Sequence, residues 1–77
     1  MEEFLRYVLN QLVEYPDELV ISHARSDNGR ETFRIAARKT DLPRIIGKGG
    51  HTIQALRNLL SAAARKHSQR VSLEIVE

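Results

Sequence analysis

A chain of 77 residues without cysteine reads as one domain that buries only about 60% of the surface its unfolded form exposes, with no disulfide or thiolate metal site to support it. Its 42% hydrophobic and 29% charged content is that of a globular domain, and no apolar run approaches the roughly 20 residues of a membrane span. The acidic start Met1-Glu2-Glu3-Phe4 lacks the basic region of a signal peptide, so a cytoplasmic protein with no membrane association is expected. The net charge of +2 is unevenly spread: residues 1–37 hold four basic side chains against seven acidic ones, residues 38–70 hold eight against Asp41 alone, and Glu74 and Glu77 follow. A positive middle of that kind is the footprint of a surface that meets a polyanion.

The first predicted element is a helix over 2–14. Phe4, Leu5, Val8, Leu9, Leu12 and Val13 recur at i, i+4, i+8 and i+1, i+5, i+9, which makes one broad buried stripe with Phe4 and Leu5 in the core. Pro16 closes it by disfavouring helical geometry at Tyr15. Leu19 to Arg25 reads as a strand, and from Arg30 to Ala37 the alternation resumes, with Phe33, Ile35 and Ala37 on one face. Ser26-Asp27-Asn28-Gly29 between them favours positive φ and predicts a hairpin turn, so the two strands pair antiparallel. His23 has no second histidine or carboxylate at ligand spacing and reads as an ordinary strand residue.

A short helix is expected from Leu42 to Ile46, with Thr40 or Asp41 as its cap and Pro43 in its first turn. After a glycine turn, a longer helix runs from His51 to His67 with Ile53, Leu56, Leu60 and Ala63 on one face, widened by Ala55, Leu59 and Ala62. That apolar surface is broader than a three-stranded sheet is expected to cover, so part of it is either a candidate self-association surface or additional core width. Lys66 to Arg70 is a polar connection, and Val71, Leu73 and Ile75 form a closing strand. The order α-β-β-α-α-β predicts an α+β fold: a three-stranded mixed sheet with three helices packed on one face. The last strand lies parallel to the second through a right-handed crossover.

The chain is organised around Ile45-Ile46-Gly47-Lys48-Gly49-Gly50-His51-Thr52-Ile53. A Walker loop needs glycine five positions before Gly47, where Leu42 stands, and Ser or Thr after Lys48, where Gly49 stands. A dinucleotide fingerprint needs a third glycine at position 52, which is Thr, and a strand before the turn instead of a helix. What fits is a helix–Gly-x-x-Gly–helix turn, with Gly47 and Gly50 fixed and Lys48 and Gly49 variable. Such a turn lets a sugar-phosphate backbone lie against the peptide while Lys48 neutralises a phosphate.

The run IIGKGGHTI resembles the K-homology (KH) signature, whose turn clamps about four nucleotides of single strand. The element order resembles the type II form of that domain across residues 1–77. Size, Asp41-Leu42, and the tract from Ala55-Leu56-Arg57 to Leu60-Ser61-Ala62-Ala63 are similar to the small bacterial single-domain KH proteins of the KhpA family. The resemblance implies single-stranded RNA as partner, pairing with a second copy or with a larger KH-containing protein, and a role in post-transcriptional control and cell shape. Gly47, Lys48, Gly49 and Gly50 would hold phosphates, Ile46 and Ile53 would offer an apolar floor for bases, and Arg44, His51 and Arg57 flank the turn. Lys66 and Arg70 are expected at the rim. Gly49 departs from the longer polar residue common there, removing one side-chain contact.

The four aromatics Phe4, Tyr7, Tyr15 and Phe33 fall outside this groove, so aromatic stacking of bases is not the expected mechanism. Catalysis has no support, because His23, His51 and His67 form no pattern and the serines lack an evident base. No cofactor, metal or small-molecule substrate is expected. The alternative is an adaptor that keeps the fold and uses the long helix to bind protein.

Overall fold

The helical spacing before Pro16 and after Gly50 and the alternation after Leu19 resolve into six main elements in a computed structural model, which describes residues 1–76. These are α1 (Glu2–Leu12), β1 (Val20–Arg25), β2 (Arg30–Ala36), α2 (Leu42–Ile46), α3 (His51–Lys66) and β3 (Arg70–Ile75), with single 3-10 turns at Pro16–Glu18, Lys39–Asp41 and Lys48–Gly50. The sheet order is β1-β2-β3. β1 and β2 are antiparallel with Ile21 opposite Ile35 and His23 opposite Phe33, whereas β2 and β3 are parallel with Phe33 opposite Leu73. The α+β reading holds, including the parallel return through two helices.

The hairpin forms where Ser26–Gly29 predicts it. Gly29 takes φ +84°, its N–H donates to the Ser26 carbonyl at 3.0 Å, and the Asn28 side chain accepts from the Arg30 N–H at 3.1 Å. One face of the sheet presents Ile21, Phe33, Ile35 and Leu73 to Leu5, Leu9, Ile45, Ile53, Leu56 and Leu60 from the helices, and these residues make a single buried cluster. His23 stacks on Phe33 with ring centroids 4.8 Å apart and lies 3.1 Å from Glu31, which Arg25 also holds at 2.7 Å. The Arg25 hydrogen bond leads the influences that lower the Glu31 pKa.

Three expectations are corrected. Helix α1 stops at Leu12, and Val13 is already extended at φ −88°, ψ 149°, two residues short of the predicted end. The cause lies elsewhere in the chain: the carboxylate of Asp41 accepts the N–H groups of Glu14 and Tyr15 at 3.0 Å each, which removes them from the helical ladder. For the same reason Asp41 does not cap α2 with its side chain, and neither does Thr40. Phe4 is not core but 48% exposed, because the buried stripe of α1 is the narrower Leu5–Leu9 row.

Candidate nucleic-acid interface

The glycine turn sits between the end of α2 and the start of α3, and its backbone explains its composition. The Gly47 N–H closes α2 on the Pro43 carbonyl at 2.8 Å, and the Gly50 N–H returns to the Gly47 carbonyl at 3.1 Å. Gly47 holds φ +78°, and a Cβ there would lie 2.7 Å from the Thr52 Cβ and 2.8 Å from its backbone nitrogen. No residue but glycine fits. Gly49, at φ +62°, differs, since a Cβ there would meet only the His51 ring at 3.7 Å. The side chain of Lys48 is exposed. No side chain caps the start of α3; the His51 N–H is taken by the Lys48 carbonyl, and the N–H groups that follow it in the first turn have no side-chain cap beside Lys48, which suits an anion.

The flanking residues divide. Ile53 is 5% exposed and belongs to the core, while Ile46 is half-buried against it and shows part of its surface. His51 is exposed at the first position of α3. Arg57 lies two turns along α3 and donates Nε and Nη2 to the Leu73 carbonyl at 3.3 and 3.2 Å, on the outer edge of β3. Arg44 faces away from that edge: its Nη1 reaches Glu14 at 3.4 Å and Asp41 at 3.6 Å. Lys66, the last residue of the 16-residue α3, and Arg70, the first of β3, lie at the far end of that helix from the turn.

Asp41 anchors this arrangement. Burial pushes its carboxyl pKa up, but the Glu14 and Tyr15 N–H groups, with Arg44 and Arg38 nearby, outweigh that and hold it below 3.8. The carboxylate thus ties the beginning of α2 to the chain leaving α1. Sequence spacing could not have found this link, because the partners are 26 and 27 residues apart. Among the described residues, no cluster of three or more His, Cys, Asp or Glu could hold a metal ion. Among the same residues, no helix is long and apolar enough to cross a membrane.

A family model described as "KhpA/KhpB, KH domain" matches residues 2–75. The chain belongs to this KH family. Among its relatives is the protein of Chlamydia pneumoniae named RNA-binding protein KhpA, 42% identical over 100% of this chain and 97% of its own. The similarly named Listeria monocytogenes protein is 34% identical over the full length of both. That of Treponema pallidum is 34% identical over 99% of this chain and 94% of its own. No solved structure matches the chain significantly. The family is one of KH domains and not of enzymes.

Proposed function

We propose that this KH domain binds single-stranded RNA, with the sugar-phosphate backbone seated on the turn Gly47–Gly50. One observation carries the reading: an uncapped helix start and an exposed Lys48 flank a turn whose first glycine admits no side chain, in a chain whose relatives are named RNA-binding proteins. The groove lies between α2, the turn and α3 on one side and the outer edge of β3 on the other. Lys48 and the α3 N–H groups that follow His51 take phosphates, Ile46 floors the groove over the buried Ile53, and Arg57 crosses toward β3. His51 and Arg44 stand at its margins. With no aromatic platform, affinity rests on phosphate contacts and apolar packing and weakens as salt rises. The biological output that fits such a module is post-transcriptional regulation or RNA chaperoning.

Lys48→Asp combined with Gly49→Asp tests this. Aspartate tolerates the left-handed backbone of position 49 better than most residues, and the site is open. RNA retention is expected to vanish while circular dichroism stays native; undiminished RNA binding overturns the assignment.

A second reading rests on a different surface. Met1, Phe4, Leu59, Leu60 and Ala63 line an apolar groove of about 390 Å³ between α1 and α3. Leu59 there is 56% exposed. We infer that this face pairs with a second copy or with a related KH chain, and that two weak RNA sites then act together on one transcript. A pure adaptor would use the same face and recover proteins but no RNA on crosslinking.

A further inference from the structure

The arginines of the chain fall into two groups. Arg6, Arg25, Arg34, Arg38 and Arg44 each sit within ion-pair distance of a carboxylate. Among the described residues, Arg30, Arg57, Arg65 and Arg70 have no such partner. These four are not scattered. Arg57, Ser61 and Arg65 succeed one another at i, i+4, i+8 and therefore share one flank of α3. Arg57 touches β3 across that flank, and Arg30, Arg65 and Arg70 line a cleft of about 210 Å³ together with Ser61 and Gln69. The cleft lies at the opposite end of α3 from the glycine turn.

From this arrangement we propose a second phosphate-binding site, the Arg30/Arg65/Arg70 cleft, which takes backbone phosphates of the same RNA beyond the nucleotides held at the turn. The proposal rests on the RNA-binding reading and extends its footprint. Gly50 and Arg65 are separated by about 22 Å along the helix at 1.5 Å per residue, with Arg57 near the midpoint.

Several features make the cleft fit for an anion. None of its lining residues among the described ones is acidic. The Arg30 Nη1 donates to the Ser72 hydroxyl at 2.7 Å, which fixes one guanidinium and leaves its other N–H groups free. The end of α3, whose dipole would repel an anion, spends its carbonyls internally: Ala64 accepts from His67 and Gln69, and Arg65 accepts from Ser68. Complementing that helix end accounts for Arg65 and Lys66. It does not account for Arg30 and Arg70, which come from two neighbouring strands and stand opposite each other in the register.

The test compares labelled single-stranded RNAs of about four and about ten nucleotides against the intact chain and against Arg65→Gln with Arg70→Gln. Affinity for the longer strand is expected to fall at least about tenfold, its salt slope to shrink by about 1.4 at roughly 0.7 per lost contact, and the shorter strand to bind as before. Equal loss for both strands, or no loss for either, overturns the cleft while leaving the turn assignment intact. If the unaltered chain binds neither strand, the RNA reading fails and the cleft proposal with it. Inorganic phosphate, followed by NMR at the Gln69 and arginine side chains, separates the remaining source. Shifts there with phosphate but none with the longer RNA make the cleft a free-anion site and overturn the path.

Discussion

Arg57 lays two N–H groups on the Leu73 carbonyl, at 3.3 and 3.2 Å. The contact joins the helix that follows the glycine turn to the outer edge strand of the sheet, and so would set the width of the proposed groove between them. It also blunts that edge by occupying an acceptor that another strand could use. A planar fork makes both bonds at once, which a lysine cannot reproduce.

Arg57→Ala is therefore expected to destabilise the domain by about 1 kcal/mol through the lost hydrogen bonds and to weaken RNA binding further through the lost charge. Arg57→Lys restores the charge but not the fork. Urea denaturation and RNA titration on both variants separate the two contributions: RNA affinity that follows charge alone would mean that the edge contact does not shape the groove.

The glycines of the turn are unequal. At Gly47 a Cβ meets Thr52 and the φ of +78° is unfavourable for any side chain, whereas at Gly49 there is room. Gly47→Ala is expected to lower the melting temperature by more than about 8 °C, since its φ 78°, ψ 169° backbone is essentially confined to glycine and costs other residues roughly 1–3 kcal/mol, the Thr52 clash adds to that, and a domain of this size moves about 4–8 °C per kcal/mol. Gly49→Asn should cost less than about 4 °C by the same scale. Thermal denaturation of the pair decides it, and equal losses would place the constraint outside the Thr52 contact.

Asp41 predicts a pH dependence. Its pKa in the folded chain lies below the usual 3.8, so the unfolded chain takes up a proton first as pH falls. Its stabilising effect is complete above 3.8 and disappears as pH drops through the lower folded value. Asp41→Asn keeps one acceptor but turns an amide group toward the other N–H, and is expected to melt more than about 5 °C below the parent at pH 7. Below 3.8 the gap should close. A gap unchanged down to pH 2 would mean that the carboxylate charge is irrelevant to the link between α1 and α2.

Most of the fold was legible because each element carries its own period. Leu5 and Leu9, the alternating Phe33 and Ile35, and the row Ile53, Leu56 and Leu60 say helix, strand and helix without reference to one another. What stayed hidden depends on partners distant in sequence. The end of α1 is decided by Asp41, and Arg44, which flanks the turn in sequence, spends its charge on Glu14 across 30 residues. Phe4 shares the helical spacing of Leu5 but lands on the flank that α3 does not cover. Charge counting marked residues 38–70 as basic, yet it could not separate the ion-paired Arg38 and Arg44 from Arg57, Arg65 and Arg70, which have no carboxylate partner among the described residues, and it passed over Arg30, which lies outside that stretch.

The uncovered flank leads to the last prediction. Met1, Phe4 and Leu59 are exposed large apolar residues around one groove, and withdrawing such a patch from water favours association. Leu59→Glu should leave the fold intact, because the side chain is already largely in solvent, but it places a charge in the middle of the contact. Sedimentation equilibrium is expected to show reversible dimers for the parent chain and monomers for the variant. If pairing joins two weak sites, the variant should also lose roughly 100-fold in apparent affinity for an RNA long enough to reach both, while a strand that fills one site binds equally to either protein. A variant that still dimerises would move the interface elsewhere, and one that is monomeric yet keeps full affinity for the long RNA would show that a single domain holds the whole footprint.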